Sequence, residues 1–215
     1  MIYHPRSMCH SLHFADTPSE KQEMTPSILL LPGIGNSGPD HWQTIWAHND
    51  ASMESIRGQD WNRPVCARWV ENLEVAISRA GPDTVLVAHS LGCLQVAHWA
   101  QCSRTLVRAA LLVAVPDPDR STFPNDAQGF SPPGLRRFAF PSTVIASSND
   151  PYADMDYSQR CADAWGSRLV NIGAQGHINS TSGLGDWPQG RALLRELLTI
   201  SMRATPDSRS TVHKR

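Results

Sequence analysis

A layered α/β fold built around a parallel sheet is predicted by this chain, on two observations. Its short apolar runs are hydrophobic at every position rather than at alternate ones, as strands covered on both faces must be. Those runs alternate along the chain with segments of helical period. A length of 215 residues suits one domain with a sizeable core.

The elements are read in order. The first strand is Ile28–Leu31, followed by a helix over His41–His48. A weak strand near Ser55–Arg57 leads to a helix over Pro64–Arg79, whose Val65, Trp69, Leu73, Ala76 and Ile77 share one face. Thr84–Ala88 is the next strand and Leu91–Cys102 its helix. The strands Ala109–Val115 and Thr143–Ala146 precede a helix over Asp154–Trp165. The last strand, Arg168–Ile172, is followed by a helix over Pro188–Ser201. About six mainly parallel strands with helices on both faces make a three-layer sandwich, with right-handed crossovers. Residues 116–141 break the alternation with six prolines and no clear period, and are expected to form a short cap or an irregular loop, hence little or no lid.

Residues 1–26 and 203–215 lack any helical or strand period and read as a disordered extension and tail around a domain of residues 27–202. Met24, just before "TPSILLLPG", is the expected natural start. A formal net charge of −1 gives no electrostatic footprint for nucleic acid. No apolar run approaches the roughly 18 residues of a membrane helix. The N-terminal stretch lacks the apolar region of a secretory signal. The five cysteines, Cys9, Cys66, Cys93, Cys102 and Cys161, show neither CxxC pairing nor metal-ligand spacing. Reduced thiols, a cytoplasmic location and no metal are therefore expected.

The chemistry centres on "VLVAHSLGC", residues 85–93. A buried strand running into a serine flanked by small residues, with a helix after it, is the pattern of a nucleophile elbow. Here it reads Ala88-His89-Ser90-Leu91-Gly92, with alanine in place of the usual first glycine. A serine hydroxyl needs a base, and on this scaffold the partners follow in the chain order serine, acid, histidine. Of the downstream histidines, His98 lies well into the next helix and His213 in the tail. His177 sits in a glycine-rich loop after the last strand, where a catalytic base is carried. Asp150 follows the strand Thr143–Ala146 and is preferred as the acid over Asp117 and Asp119; the competing role for Asp150 or Asp154 is capping the helix that follows. The oxyanion donors expected are the N–H of Leu91 and, from the "LPGIGNSGPDHW" loop, that of Ile34. Gly33, Gly35 and Gly38 also satisfy a dinucleotide-binding pattern, but that reading requires an acid closing the second strand, and its candidate, Asp60, follows a weak strand and a glycine turn. Trp42, Trp61 and Trp187 lie near the loops of this edge and are candidates for an apolar acyl pocket, with core packing as the alternative.

Together "LLLPGIGNSGPDHWQTIW", "LVAHSLGC", "SSNDPYAD" and "GHINSTSGLGDWPQG" resemble the small lidless α/β-hydrolases of the retinoblastoma-binding-protein-nine and YdeN type, over about residues 27–200. The resemblance implies a serine hydrolase of α/β-hydrolase fold with its triad on Ser90, Asp150 and His177; the mechanism expected of that triad needs no metal or organic cofactor. The expected substrate is a small ester, thioester or amide, cleaved through an acyl-enzyme. The alternatives are an acyltransferase, which shares that intermediate, and a catalytically weak protein acting by partner binding.

Overall fold

The computed structural model describes residues 26–204. Met24, Cys9, the rest of the expected extension before Pro26 and the tail after Ala204 lie outside the described residues.

Six strands form one sheet: β1 (Ile28–Leu31), β2 (Met53–Ser55), β3 (Val85–His89), β4 (Ala109–Val113), β5 (Ser142–Ala146) and β6 (Arg168–Asn171). Their order is β2-β1-β3-β4-β5-β6, and every neighbouring pair is parallel. Every residue of β1, β3, β4 and β5 is buried, which is why these runs carry no polar alternation. The two-residue period of a strand divides them between two cores. Leu29, Leu31, Leu86, Ala88, Ala110, Leu112 and Val144 face one side. Ile28, Leu30, Val85, Val87, Ala109, Leu111 and Ile145 face the other. The first core is covered by α2 (Cys66–Ala80), α3 (Leu91–Cys102) and α4 (Met155–Trp165), the second by α1 (Trp42–Asn49) and α5 (Pro188–Ala204). Each fully buried leucine or isoleucine contributes about 1.5–3 kcal/mol, so the sheet's two faces carry most of the stability.

The edge strand β2 begins two residues earlier than the weak run near Ser55–Arg57. Only Met53 of its three residues is buried, so too little of the strand faces the core to write a period into the sequence. In α2 the buried stripe is Cys66, Trp69, Leu73 and Ile77, while Val65 caps the helix and is half exposed. Helix α4 starts on the Asp154 side chain, which accepts from Tyr157 N–H, and stops at Gly166 in the left-handed region.

From β1 the chain moves outward to β2, then returns to β3 on the other side of β1 and proceeds away from it. The crossovers thus diverge at the carboxyl ends of β1 and β3, and such a switch point opens a crevice. Residues 116–141 hold no helix and only one bridge, Val65 with Gln128. Phe130 and Phe138 are buried and pin the segment to the core.

Candidate active site

Ser90 stands between β3 and α3 with φ 53° and ψ −125°. A serine at positive φ is uncommon, and the bend lifts its side chain out of the sheet edge. Neighbouring backbone passes very close to the bend. A Cβ on Gly92 would lie 2.3 Å from the Leu31 carbonyl oxygen and 2.9 Å from that of Pro32. One on Gly33 would lie 2.8 Å from Ser90 Cβ and 3.4 Å from Leu91 N. Glycine at 33 therefore keeps open the space above the serine and the first amide of α3. Alanine suffices at 88, where the residue sits inside the sheet opposite Leu31 and Leu112.

His177 joins the serine to an acid. Its Nε2 lies 2.8 Å from Ser90 Oγ, and its Nδ1 lies 2.9 Å from both carboxyl oxygens of Asp150. A carboxylate only accepts, so Nδ1 carries the proton and Nε2 is free to accept from the hydroxyl. The Asp150 and His177 side chains are almost wholly buried, at 4% and 9% exposure, which strengthens their attraction. Asp150 also accepts from Tyr152 N–H at 2.9 Å, and the Tyr152 ring covers the imidazole at 4.4 Å. The rival acids have other partners: Asp117 Oδ1 takes Asp119 N–H, and Asp119 Oδ1 takes the Ser131 hydroxyl. The capping role falls on Asp154, leaving Asp150 to the histidine.

The loop carrying His177 is clamped from beneath. Asn149 Oδ1 accepts from Gly176 N–H at 2.7 Å, and Ser147 Oγ accepts from Gln175 N–H at 2.9 Å. His89 Nε2–H donates to the His177 carbonyl at 2.9 Å, and Trp42 Nε1–H to the Ile178 carbonyl at 2.9 Å. Ile178 is fully buried at φ 50°, a strained setting for a β-branched residue that these contacts hold in place.

Two further imidazoles stand beside the relay, His41 at 4.7 Å from His89 and His89 at 5.0 Å from His177, between ring centroids. Burial, with help from His177, pushes His41 down to about 4. Burial likewise holds His89 well below the ordinary histidine range. Both are therefore neutral near neutral pH. His41 Nδ1 accepts from Gln43 N–H, so its proton sits on Nε2.

Ser90, His177, His41 and His89 line a cleft of about 190 Å³ at the switch point. Ile34 and Leu91 both border it, and neither backbone N–H donates to a backbone acceptor among the described residues. The Gly33–Gly38 loop is anchored by Gly35 N–H on the Trp61 carbonyl at 2.8 Å. Asp60 accepts backbone N–H groups from Asn62 and Arg63 in its own turn, so its carboxylate closes a loop. Among the described residues no three His, Cys, Asp or Glu side chains gather in a metal-holding arrangement.

The family model for serine hydrolases matches residues 28–196. This chain belongs to the serine hydrolase family. A YdeN-like hydrolase of Pectobacterium atrosepticum is 30% identical, over 81% of this chain and 91% of that one, with a TM-score of 0.72. The ydeN gene product of B. subtilis, at 18% identity, shares the fold over 81% of this chain and 100% of its own, with a TM-score of 0.63. Est1E of Butyrivibrio proteoclasticus, at 12% identity, shares it over 87% and 92%, with a TM-score of 0.59. No curated protein matches the chain. The sandwich is thus an α/β-hydrolase fold, as the motifs implied.

In this serine hydrolase the three tryptophans expected in the pocket stand outside the cleft lining. Trp42 and Trp187 are buried in the core under α1 and α5, and Trp61 packs edge-on against Trp69. Large rings near the active edge found more area to bury in the core than over an open cleft. The walls come instead from residues that the sequence did not single out: Pro116, Phe123, Pro124, Tyr152, Asn179 and Ser180. Position after β4 and directly after Asp150 and His177 was the available signal for them.

Proposed function

We propose that this hydrolase cleaves a small ester, thioester or amide through Ser90, His177 and Asp150, by way of an acyl-enzyme. The observation carrying this reading is the unbroken relay from Ser90 Oγ through His177 to Asp150, at 2.8 and 2.9 Å, on a serine at positive φ. His177 Nε2 takes the hydroxyl proton as Oγ attacks the acyl carbon. The oxyanion so formed is held by the Leu91 and Ile34 N–H groups, with the N-terminus of α3 adding its positive end. The imidazolium, steadied by Asp150, then protonates the leaving group. Water enters and attacks the acyl carbon while His177 takes its proton; His177 then returns that proton to Ser90 Oγ as the bond to the acyl group breaks and the acid leaves. Water apart, every step uses side chains and amides of the chain itself. Four unpaired thiols among the described residues are in keeping with a reducing, cytoplasmic workplace.

The test is labelling with a fluorophosphonate, which reacts with an activated serine. Wild type should label and turn over p-nitrophenyl acetate. Ser90→Ala should lose the label and on the order of 10⁴-fold or more in rate while staying folded. Near-wild-type turnover by that variant would remove Ser90 from the mechanism.

A further inference from the structure

The residues around the cleft pack on two different cores, and the chemistry of the relay says which part of a substrate lies by His177. A leaving group receives its proton from His177 Nε2, so it must lie beside that ring. The loop holding His177 packs through Ile178 onto the core under α1 and α5. The lining also includes polar residues, Asn36, His41, Asn179 and Ser180, of which Asn179 Oδ1 is held by Thr181. The remaining apolar lining is then left to the acyl chain. There Ile34 and Phe123 pack against the core under α2, α3 and α4, and Leu91, Pro116 and Pro124 complete an apolar wall.

Two limits on that wall follow. The cleft's 190 Å³ must hold acyl and leaving group together, against the roughly 300–1,000 Å³ of a site for a drug-sized ligand. No acidic or basic side chain lines it among the described residues, and its two extra imidazoles are neutral. A charge on the acyl chain would be buried there without a partner, which is strongly unfavourable.

Resting on the hydrolase reading above, we propose that Phe123 is the end-stop of an acyl pocket, limiting the substrate to short, uncharged acyl chains. Phe123 suits that role because its ring is half-buried against the core and borders the cleft from a connection that has no helix to reposition it.

The experiment is a series of p-nitrophenyl esters from acetate through butyrate and hexanoate to octanoate, with the hemisuccinate as a charged counterpart of butyrate. Wild type should favour acetate or butyrate over octanoate by about tenfold or more, and butyrate over hemisuccinate by on the order of 100-fold. Phe123→Ala should raise the octanoate-to-acetate ratio of kcat/KM by about tenfold, since each methylene accommodated is worth that order. Phe123→Trp should move the butyrate-to-acetate ratio the other way. Leu135→Ala, at an exposed position of the same connection, should keep the wild-type ratios. Variants that label with fluorophosphonate yet keep wild-type ratios would overturn the end-stop, as would equal rates on hemisuccinate and butyrate. A wild-type protein that neither labels nor turns over any ester would instead overturn the Ser90 reading beneath it.

Discussion

Asp150 and Asp117 both follow a strand of the sheet, yet they have different fates. Asp150 gives both carboxyl oxygens to His177 Nδ1, whereas Asp117 turns its carboxylate onto the backbone N–H of Asp119. If the carboxylate fixes the histidine tautomer, replacing it by an amide presents the wrong hydrogen-bonding partner to Nδ1. Asp150→Asn should therefore lower kcat by about 10⁴-fold, with KM changing little, while Asp117→Asn stays within about threefold of wild type. Steady-state kinetics on a chromogenic ester decide it. A crippled Asp117→Asn enzyme would transfer the role of acid to the loop after β4.

Among the elements, α3 and β1 are the pair on which the site depends most. Gly92, in the first turn of α3, lets the helix rest on the carbonyl groups of Leu31 and Pro32. Alanine there would put a methyl 2.3 Å from backbone, which no side-chain rotation relieves. Gly92→Ala should thus push α3 away from β1 and cost about 1–3 kcal/mol, as overpacking does. Because the same shift separates Leu91 N–H from Ile34, activity should fall further than stability does. Urea titration paired with ester kinetics measures both; an unchanged midpoint with full activity would contradict the close contact. A second element, the loop after β6, combines its own turns with bonds from α1, β3 and the β5 loop that fix it over the site.

At the scale of the whole molecule, burying neutral histidines ties stability to pH. His41 sits at about 4 in the fold, against about 6.5 in an unfolded chain. Between those values the unfolded state binds more protons, so stability is full above about 6.5 and is lost as pH falls toward 4. The downward shift corresponds to about 3 kcal/mol, and His89 acts in the same direction. Chemical denaturation at pH 7.5, 6 and 5 should show this decline, and His41→Gln should flatten it in part. A wild-type stability that rises on acidification would reverse the sign of the argument. Among the described residues, no helix is long and apolar enough to cross a membrane.

What the sequence determined by itself was whatever depends on neighbours along the chain. Fully apolar runs specified buried strands, and the helical stripes specified which faces they bury, so six strands and five helices were legible within a few residues. The weak strand slipped by two residues because a short edge strand buries too little to leave a pattern. Chain order pointed to Ser90, Asp150 and His177 because each lies just past a strand's carboxyl end, and a parallel sheet collects all such ends at one edge. Contacts between loops of different strands were decided only by the tertiary structure. It placed Trp42 and Trp187 in the core rather than the pocket, brought Phe123 and Tyr152 to the cleft, and set His41 beside His89. Those choices depend on how far each loop reaches across the switch point and on which rings bury more area in the core. Such long-range competition leaves no period in the sequence, because the residues involved lie far apart along it, as Trp42 and Ile178 do at 136 positions.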